Sequence, residues 1–287
     1  MSLESKIWKP IFVIGCCNSG TTILWEALKA QREISGPVVE GQDLEGMPEL
    51  MTHFLGKHTF RMWAHYLHER PWGWKQARGK VESKAGMHPG DRLAYYVTEN
   101  DWTEEHQRQI EDVYQKHIIP GTRLCDKSPA HTLRARFLQK CFPDTTFIAI
   151  VRSPYAVAEG IVRKRRDDHW KRPEFFCLRT QICDGAYQWR GANEVIVSYQ
   201  KDSLLKRLKI IKYEDLVRNP KRVLTEVFSF CDLPTEKGCC YFPIFEEDRN
   251  QRQIAYLKKD DINTITRIVK PLLEQFDYKV IRRGRSN

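Results

Sequence analysis

Short apolar runs alternate with longer amphipathic stretches along most of the 287-residue chain. The apolar runs at residues 11–14, 146–151 and 208–213 are predicted to be strands, and the second is typical of a strand buried on both faces. The amphipathic stretches predict helices at residues 23–28, 133–142, 154–166, 175–199, 219–231 and 260–276. This alternation predicts an α/β fold in three layers, with a central parallel sheet flanked by helices.

Residues 45–120 differ in character from the rest of the chain. Tryptophans such as Trp63, Trp72 and Trp74 occur there among prolines and glycines, which predicts an irregular, partly helical insertion on the substrate side. Its aromatic side chains suit stacking on a sugar or another flat acceptor, or packing of a lid onto the body. No linker or repeat divides the chain, so residues 1–287 are expected to form a single domain.

The charge balance favours an anionic partner. Lys and Arg number 47 against 37 Asp and Glu, a formal charge of +10, which suits a nucleotide, a nucleic acid, an acidic glycan or a membrane surface. The nine cysteines include no C-x-x-C pair and are expected to be reduced thiols. The histidines have no metal-ligand spacing, and no metal is expected.

No apolar segment approaches the roughly 18 residues that cross a bilayer, and the N-terminus has no signal-peptide shape. No membrane span is therefore expected in the chain as given. Its expected location is cytoplasmic, or the Golgi lumen if an N-terminal anchor has been removed.

The segment between the first strand and the first helix has the form of a phosphate loop. Gly15 and Gly20 bracket four residues, and Thr21 and Thr22 follow. This geometry directs backbone N–H groups towards an anion at a helix N-terminus, as in a P-loop-like fold. A Walker A loop carries lysine where this chain has Thr21, which argues against the first alternative, a P-loop nucleotide kinase or NTPase.

A second anion site is predicted at Arg152, which directly follows the buried strand at 146–151. A kinase-like Walker B strand would end in aspartate instead. A fixed guanidinium binds phosphate through parallel hydrogen bonds. The loop and Arg152 together predict a ligand that is phosphorylated at both ends, and the alternative is an arginine paired with a local carboxylate.

Four segments in order resemble the family of sulfotransferases that use 3′-phosphoadenosine 5′-phosphosulfate (PAPS). The likeness is greatest to its Golgi and bacterial branches, including tyrosylprotein and carbohydrate sulfotransferases, and covers most of the chain outside residues 45–120. The segments are Asn-Ser-Gly-Thr-Thr at 18–22, Leu-Cys-Asp-Lys-Ser-Pro at 124–129 with the block at 142–154, Lys-Tyr-Glu-Asp-Leu-Val at 212–217 with Asn-Pro at 219–220, and residues 269–278.

The resemblance implies transfer of a sulfuryl group from PAPS to a hydroxyl acceptor, with 3′-phosphoadenosine 5′-phosphate (PAP) as product and no metal. It implies that Ser19 to Thr22 hold the 5′-phosphosulfate, and that Arg152, with Lys164, holds the 3′-phosphate. The residues it assigns to the nucleotide are Asn18, Ser19, Gly20, Thr21, Thr22, Arg152, Gly160, Lys164 and Tyr213.

The same resemblance implies two catalytic residues. Lys127 is expected near the sulfuryl group and its leaving phosphate, and Glu40 is expected to accept the proton of the acceptor hydroxyl, with Asp43 and Glu45 next in line. Residues of the late nucleotide-covering loop are not assigned, and the candidates are Arg249, Arg252 and Lys258.

Two positions depart from the family pattern. Asn18 stands where the family usually has Arg or Lys, and Gly160 stands where it usually has serine on the 3′-phosphate. A catalytically weakened, PAPS-binding member of the family is therefore a further alternative, and a basic nucleic-acid-binding module is a non-enzymatic one. The acceptor stays open among a carbohydrate, a glycolipid, a small alcohol and a tyrosine side chain.

Overall fold

A parallel sheet forms the centre of the protein. The computed structural model describes residues 9–51, 97–168, 181–201, 205–235 and 248–282. Within these ranges the sheet has five strands in the order β2-β3-β1-β4-β5. The strands are β1 (Ile11–Ile14), β2 (Ile34–Ser35), β3 (Arg123–Lys127), β4 (Thr146–Val151) and β5 (Leu208–Lys212).

Helices connect the strands and follow the last one. Numbered among the described residues, they are α1 (Thr21–Lys29), α2 (Glu104–Gln115), α3 (Ala135–Cys141), α4 (Pro154–Asp168), α5 (Ile182–Lys201), α6 (Tyr213–Arg218), α7 (Pro220–Phe230), α8 (Arg249–Ala255) and α9 (Lys259–Leu273). Short 3-10 turns lie at Gly41–Asp43 and Pro129–Leu133. No helix in the described ranges is long and apolar enough to cross a membrane.

Each face of the sheet carries its own hydrophobic core, because successive side chains of a strand point to opposite faces. Phe12 and Ile14 of β1 belong to a core shared with α2, α3, α4, α5 and α9. Ile11 and Val13 belong to a second core shared with α1, α6 and α7. The predicted three-layer α/β fold is therefore confirmed.

The register of the strands aligns their carboxyl ends. Val13 of β1 lies opposite Lys127 at the end of β3, and Ile14 lies opposite Ala149 of β4. Val151 of β4 lies opposite Lys212, the last residue of β5. The segments that follow β1, β3, β4 and β5 therefore emerge at one edge, where ligands bind in open parallel sheets.

The structure contains regular elements that the sequence pattern did not predict. Strand β3 carries Asp126 and Lys127, two charged residues that hide it from a search for apolar runs. Helix α2 lies inside the segment predicted as an irregular, partly helical insertion, where the pattern did not place a helix at these residues, and its Ile110, Val113 and Tyr114 are buried in the core. The tryptophans at 63, 72 and 74 and the predicted start of the helix at 175 lie outside the described residues.

The stretch predicted as a basic amphipathic helix at 133–142 differs from that expectation. It consists of the 3-10 turn at Pro129–Leu133 and the short helix α3, and both are largely buried. Arg134 between them is fully buried, with Nη1 donating a hydrogen bond to the carbonyl oxygen of Met51. This backbone acceptor offsets part of the cost of burying the guanidinium.

Candidate active site

The loop between β1 and α1 directs backbone donors outward. Asn18 and Gly20 both have left-handed backbone conformations, with φ of 64° and 95°, and no side chain caps the N-terminus of α1. The first N–H groups of α1 are therefore available to an anion. Ser19 is fully buried, and its Oγ has no hydrogen-bond partner within the described residues. The loop fits a phosphate or phosphosulfate group.

The ring of Tyr213 packs against Gly20 of this loop. A Cβ atom on Gly20 would lie 2.6 Å from Cδ2 of Tyr213, so the close approach requires glycine. The Tyr213 ring is buried, and the Arg152 guanidinium stacks 4.1 Å from its centroid. Tyr213, the first residue of α6, thus packs the loop and Arg152 against each other.

The side chain of Arg152 lies next to the loop and donates hydrogen bonds to three residues. Nη1 donates to the backbone oxygen of Asn18 at 2.9 Å. Nε donates to Oδ1 of Asn250 at 2.8 Å, and Nη2 donates to Oε1 of Gln253. Its backbone oxygen accepts a hydrogen bond from the indole of Trp189 at 2.8 Å. The strand end and the phosphate loop therefore form one site.

The acceptors around Arg152 are neutral. Among the described residues no carboxylate forms an ion pair with Arg152. Oδ1 of Asn250 accepts from Arg152, and Nδ2 of Asn250 donates to Glu214 Oε1 at 2.6 Å. Burial lowers the pKa of Arg152, but a guanidinium stays charged in proteins. Of its five N–H donors, three donate to oxygens of described residues. A positive charge with spare donors remains for an anion.

Lys127 and Glu40 form an ion pair at the end of β3. The Lys127 side chain is 7% exposed and that of Glu40 is 27% exposed, so solvent reaches the carboxylate more easily than the ammonium. Glu40 also accepts a hydrogen bond from Nε2 of Gln42. The contact brings together the two residues predicted to be catalytic.

Two backbone hydrogen bonds fix the turn that carries Glu40. The N–H of Gly41 donates to Oδ1 of Asp126 at 2.9 Å, and the N–H of Gln42 donates to Oγ of Ser128 at 3.2 Å. Asp126 and Ser128 flank Lys127 in the sequence. The segment around Lys127 therefore also positions the carboxylate that Lys127 contacts.

Asp126 is the centre of a fully buried polar cluster. Its Oδ2 accepts hydrogen bonds from Tyr114 Oη at 2.9 Å and from His131 Nε2 at 2.7 Å. Burial lowers the pKa of His131, and its Nδ1 has no hydrogen-bond partner among the described residues, which fits a neutral ring protonated at Nε2. Burial alone would raise the pKa of Asp126, but the hydrogen bonds from His131, Tyr114 and Gly41 lower it.

An apolar surface lies beside Glu40. Val38 is 86% exposed and Val39 is 47% exposed, in the loop that leads from β2 to Glu40. Lys29 anchors this loop by donating to the carbonyl oxygen of Pro37, and its ammonium lies 4.3 Å from the ring centroid of Trp25. The two exposed valines offer an apolar contact next to the carboxylate.

The structure brings most of the predicted nucleotide residues together. Arg152 contacts Asn18 and Tyr213, Tyr213 contacts Gly20, and Gly160 lies beside Asn18. Ser19 and Thr21 are buried in the loop and at the start of α1, whereas Thr22 is exposed. Lys164 is exposed one helical turn beyond Gly160, and the structure shows no contact between it and Arg152.

Sequence reasoning missed several residues of this site. The predicted candidates Arg249 and Arg252 on α8, and Lys258 just after it, are exposed. The residues of α8 that contact Arg152 are instead the buried Asn250 and Gln253. Uncharged amides give no signal in a search for phosphate-binding side chains. Asp126 and Ser128 belong to the segment at 124–129 that resembles the family, but their role depends on hydrogen bonds to a turn 85 and 86 residues away in the sequence.

The described residues contain no group of three or more His, Cys, Asp or Glu side chains placed to hold a metal ion. The donors assembled around the loop are backbone N–H groups, hydroxyls and cationic side chains. These are groups that bind an anion directly.

A family model described as "Sulfotransferase family" matches residues 10–237. A protein-tyrosine sulfotransferase from Drosophila melanogaster is 22% identical over 161 residues, which are 56% of this chain and 30% of that protein. Protein-tyrosine sulfotransferase 2 from Gallus gallus is 24% identical over 227 residues, 79% of this chain and 52% of that protein. This chain thus spans about half or less of the length of these curated relatives.

Solved structures with the same fold include a sulfotransferase from Mycobacterium avium, with a TM-score of 0.55 and 15% identity over 98% of this chain and 80% of that chain. The sulfotransferase domain from the curacin biosynthetic pathway aligns with a TM-score of 0.53 and 16% identity over 96% of this chain and all of that chain. At these identities the likeness shows the fold.

The neutral His131 makes stability depend on pH. Because its pKa in the folded protein is lowered, its contribution is present above its unfolded pKa of about 6.5 and is lost as the pH falls below that value. We expect urea unfolding of the wild type to show a steeper loss of stability between pH 7.5 and 5.5 than His131→Gln, which cannot be protonated. The difference is at most about 1.4 kcal/mol per pH unit for one proton. Parallel pH profiles of the two proteins would contradict the neutral assignment.

Proposed function

Because this chain belongs to the sulfotransferase family, we propose that it moves the sulfuryl group of PAPS to a hydroxyl group and releases PAP. The observation that carries this proposal is the hydrogen bond of 2.9 Å from Arg152 Nη1 to the backbone oxygen of Asn18. It joins two anion-binding elements in one pocket, as a nucleotide phosphorylated at both ends requires. A nucleotide kinase is disfavoured because Thr21 and Arg152 stand where its lysine and aspartate would be.

The residues present fit the donor at both ends. The N–H groups at the start of α1, the buried Ser19 hydroxyl and Thr21 suit the 5′-phosphosulfate. The spare N–H donors of Arg152 suit the 3′-phosphate, with Lys164 able to add charge from the next turn of α4. PAPS supplies the electrophilic sulfur and the phosphate leaving group when it is bound.

Glu40 acts as the general base in this proposal. It takes the proton of the acceptor hydroxyl as the new bond between that oxygen and sulfur forms and the bond from sulfur to the 5′-phosphate oxygen breaks. Its contact with Lys127 and the turn held by Asp126 and Ser128 fix the position of the carboxylate. Lys127 then stabilises the negative charge that develops on the leaving phosphate.

The acceptor is proposed to be a phenolic hydroxyl, as in a tyrosine side chain. Both curated relatives described above are protein-tyrosine sulfotransferases. The exposed Val38 and Val39 beside Glu40 suit an aromatic ring better than a sugar, whose hydroxyls need hydrogen-bonding partners.

A panel assay tests this acceptor class. With ³⁵S-labelled PAPS, we expect transfer to tyrosine-containing peptides and none to the matched peptides with phenylalanine in place of tyrosine. Glycans and glycolipids in the same assay are expected to stay unlabelled. Preferential labelling of a glycan would contradict the phenolic acceptor and leave sulfuryl transfer itself in place.

Nucleotide binding tests the role of Arg152. We expect calorimetry to show that the wild type binds PAP and not ATP with magnesium. Arg152→Ala should weaken PAP binding on the order of 10²-fold, because it removes a buried charge that contacts the ligand. Arg218→Ala removes the same charge from a side chain that is 79% exposed and should bind PAP as the wild type does. Equal PAP affinity of Arg152→Ala and Arg218→Ala would contradict the assignment.

Turnover tests the two catalytic assignments. Glu40→Gln should lower kcat by about 10²–10⁴-fold through loss of the base, and Lys127→Ala should lower it by about 10²–10³-fold through loss of electrostatic stabilisation. PAP binding should largely survive in both variants. The control Glu45→Gln changes an exposed glutamate of the same segment and should keep wild-type turnover. Full turnover in Glu40→Gln, or a loss in Glu45→Gln instead, would show that Glu40 is not the base.

A further inference from the structure

Gly160 marks a close contact between three segments of the chain. It lies in the interior of α4, where glycine is less favourable than alanine. A Cβ atom at this position would lie 2.6 Å from Nε2 of Gln253 and 3.6 Å from Cβ and Cγ of Asn18. The absent side chain therefore makes room for the carboxamide of Gln253, which approaches from α8.

The orientation of the Gln253 carboxamide follows from its partner. A guanidinium can only donate hydrogen bonds, so the oxygen of Gln253 must face Nη2 of Arg152. The nitrogen must then point towards Gly160 and Asn18. Gln253 is 7% exposed, and the structure shows no hydrogen-bond acceptor for its Nε2 within the described residues. An amide nitrogen without a protein acceptor can donate a hydrogen bond to a ligand.

The surroundings of this nitrogen suit an anion. The Arg152 guanidinium lies next to this nitrogen. The guanidinium itself donates to neutral oxygens of Asn18, Asn250 and Gln253. Glu214 is separated from Arg152 by Asn250. The site thus presents a positive charge, spare guanidinium N–H groups and the N–H groups of one carboxamide in a nearly buried place.

We propose that Nε2 of Gln253 donates a hydrogen bond to the 3′-phosphate of the nucleotide, alongside Arg152, and so selects nucleotides that carry a 3′-phosphate. This inference rests on the proposed function. Gln253 supplies the donor that a side chain at position 160 would otherwise supply. The short distance at Gly160 means that a full-length glutamine at 253 and a side chain at 160 exclude each other unless one of them moves.

Calorimetry with PAP and with adenosine 5′-monophosphate, which lacks the 3′-phosphate, tests the proposal on the full chain. Gln253→Ala is expected to weaken PAP binding about 10- to 100-fold, the value of a hydrogen bond to a charged group, and to leave the affinity for adenosine 5′-monophosphate within about 2-fold. Gln253→Met, which keeps the volume of the side chain, should behave in the same way. The control Gln251→Ala alters an exposed glutamine of the same helix and should bind both nucleotides as the wild type does.

A second substitution separates a ligand from a merely structural residue. Gly160→Ser should weaken PAP binding in the wild-type background, where it collides with Gln253, and strengthen it in the Gln253→Ala background, where its hydroxyl can reach the phosphate. This change of sign requires that the two positions serve the same ligand group.

The contrary outcomes are distinct. If the wild type does not bind PAP, the proposed function fails, and the role of Gln253 fails with it. If the wild type binds PAP but Gln253→Ala and Gln253→Met bind it equally well, only the role of Gln253 is refuted. An equal loss of affinity for both nucleotides would also refute it, since Gln253 would then stabilise the pocket as a whole. Weaker PAP binding by Gly160→Ser in both backgrounds would refute it too, since Gln253 would then act only by holding Arg152.

Discussion

The hydrogen bond from Arg152 to the backbone carbonyl of Asn18 is the contact on which the candidate site depends. Arg152 follows β4 and Asn18 follows β1, and these strands are neighbours in the sheet. Without this bond the loop and the arginine would be two separate anion-binding elements. With it, and with Tyr213 packed against Gly20 on one side and stacked with Arg152 on the other, their spacing is set by the sheet. A rigid spacing is what allows one site to select a ligand with two charged ends.

The two charged halves of the site are stabilised in opposite ways. Lys127 is paired with Glu40, so this half is close to electrically neutral in the absence of a ligand. Arg152 is surrounded by amide and carbonyl oxygens, so its charge is solvated by protein dipoles but not cancelled. Burying a charge in this way costs stability unless a counter-ion arrives. The first half is therefore suited to proton transfer, and the second to binding.

Local signals in the sequence were sufficient to predict the fold class and the position of Arg152 at the end of β4. Apolar runs predicted β1, β4 and β5, and Arg152 directly after β4 indicated the edge of the sheet at which the candidate site lies. The family expected from the motifs is also confirmed. Strand β3 was not predicted because the buried charged residues Asp126 and Lys127 interrupt its apolar pattern. The side-chain hydrogen-bond partners of Arg152 could not be predicted because they are uncharged and lie about 100 residues away in the sequence. Only the folded chain brings them together.

Asn18 and Gly160, the two departures from the family pattern, lie next to each other in the structure. Asn18 has a φ of 64°, a conformation that asparagine adopts more readily than a long basic residue. Its carbonyl is held by Arg152, and its side chain lies beside Gly160, where Gln253 also packs. A change at any of these three positions alters the room available to the others. Asn18 and Gly160 are therefore better understood as parts of a different packing arrangement around Arg152 than as two independent losses.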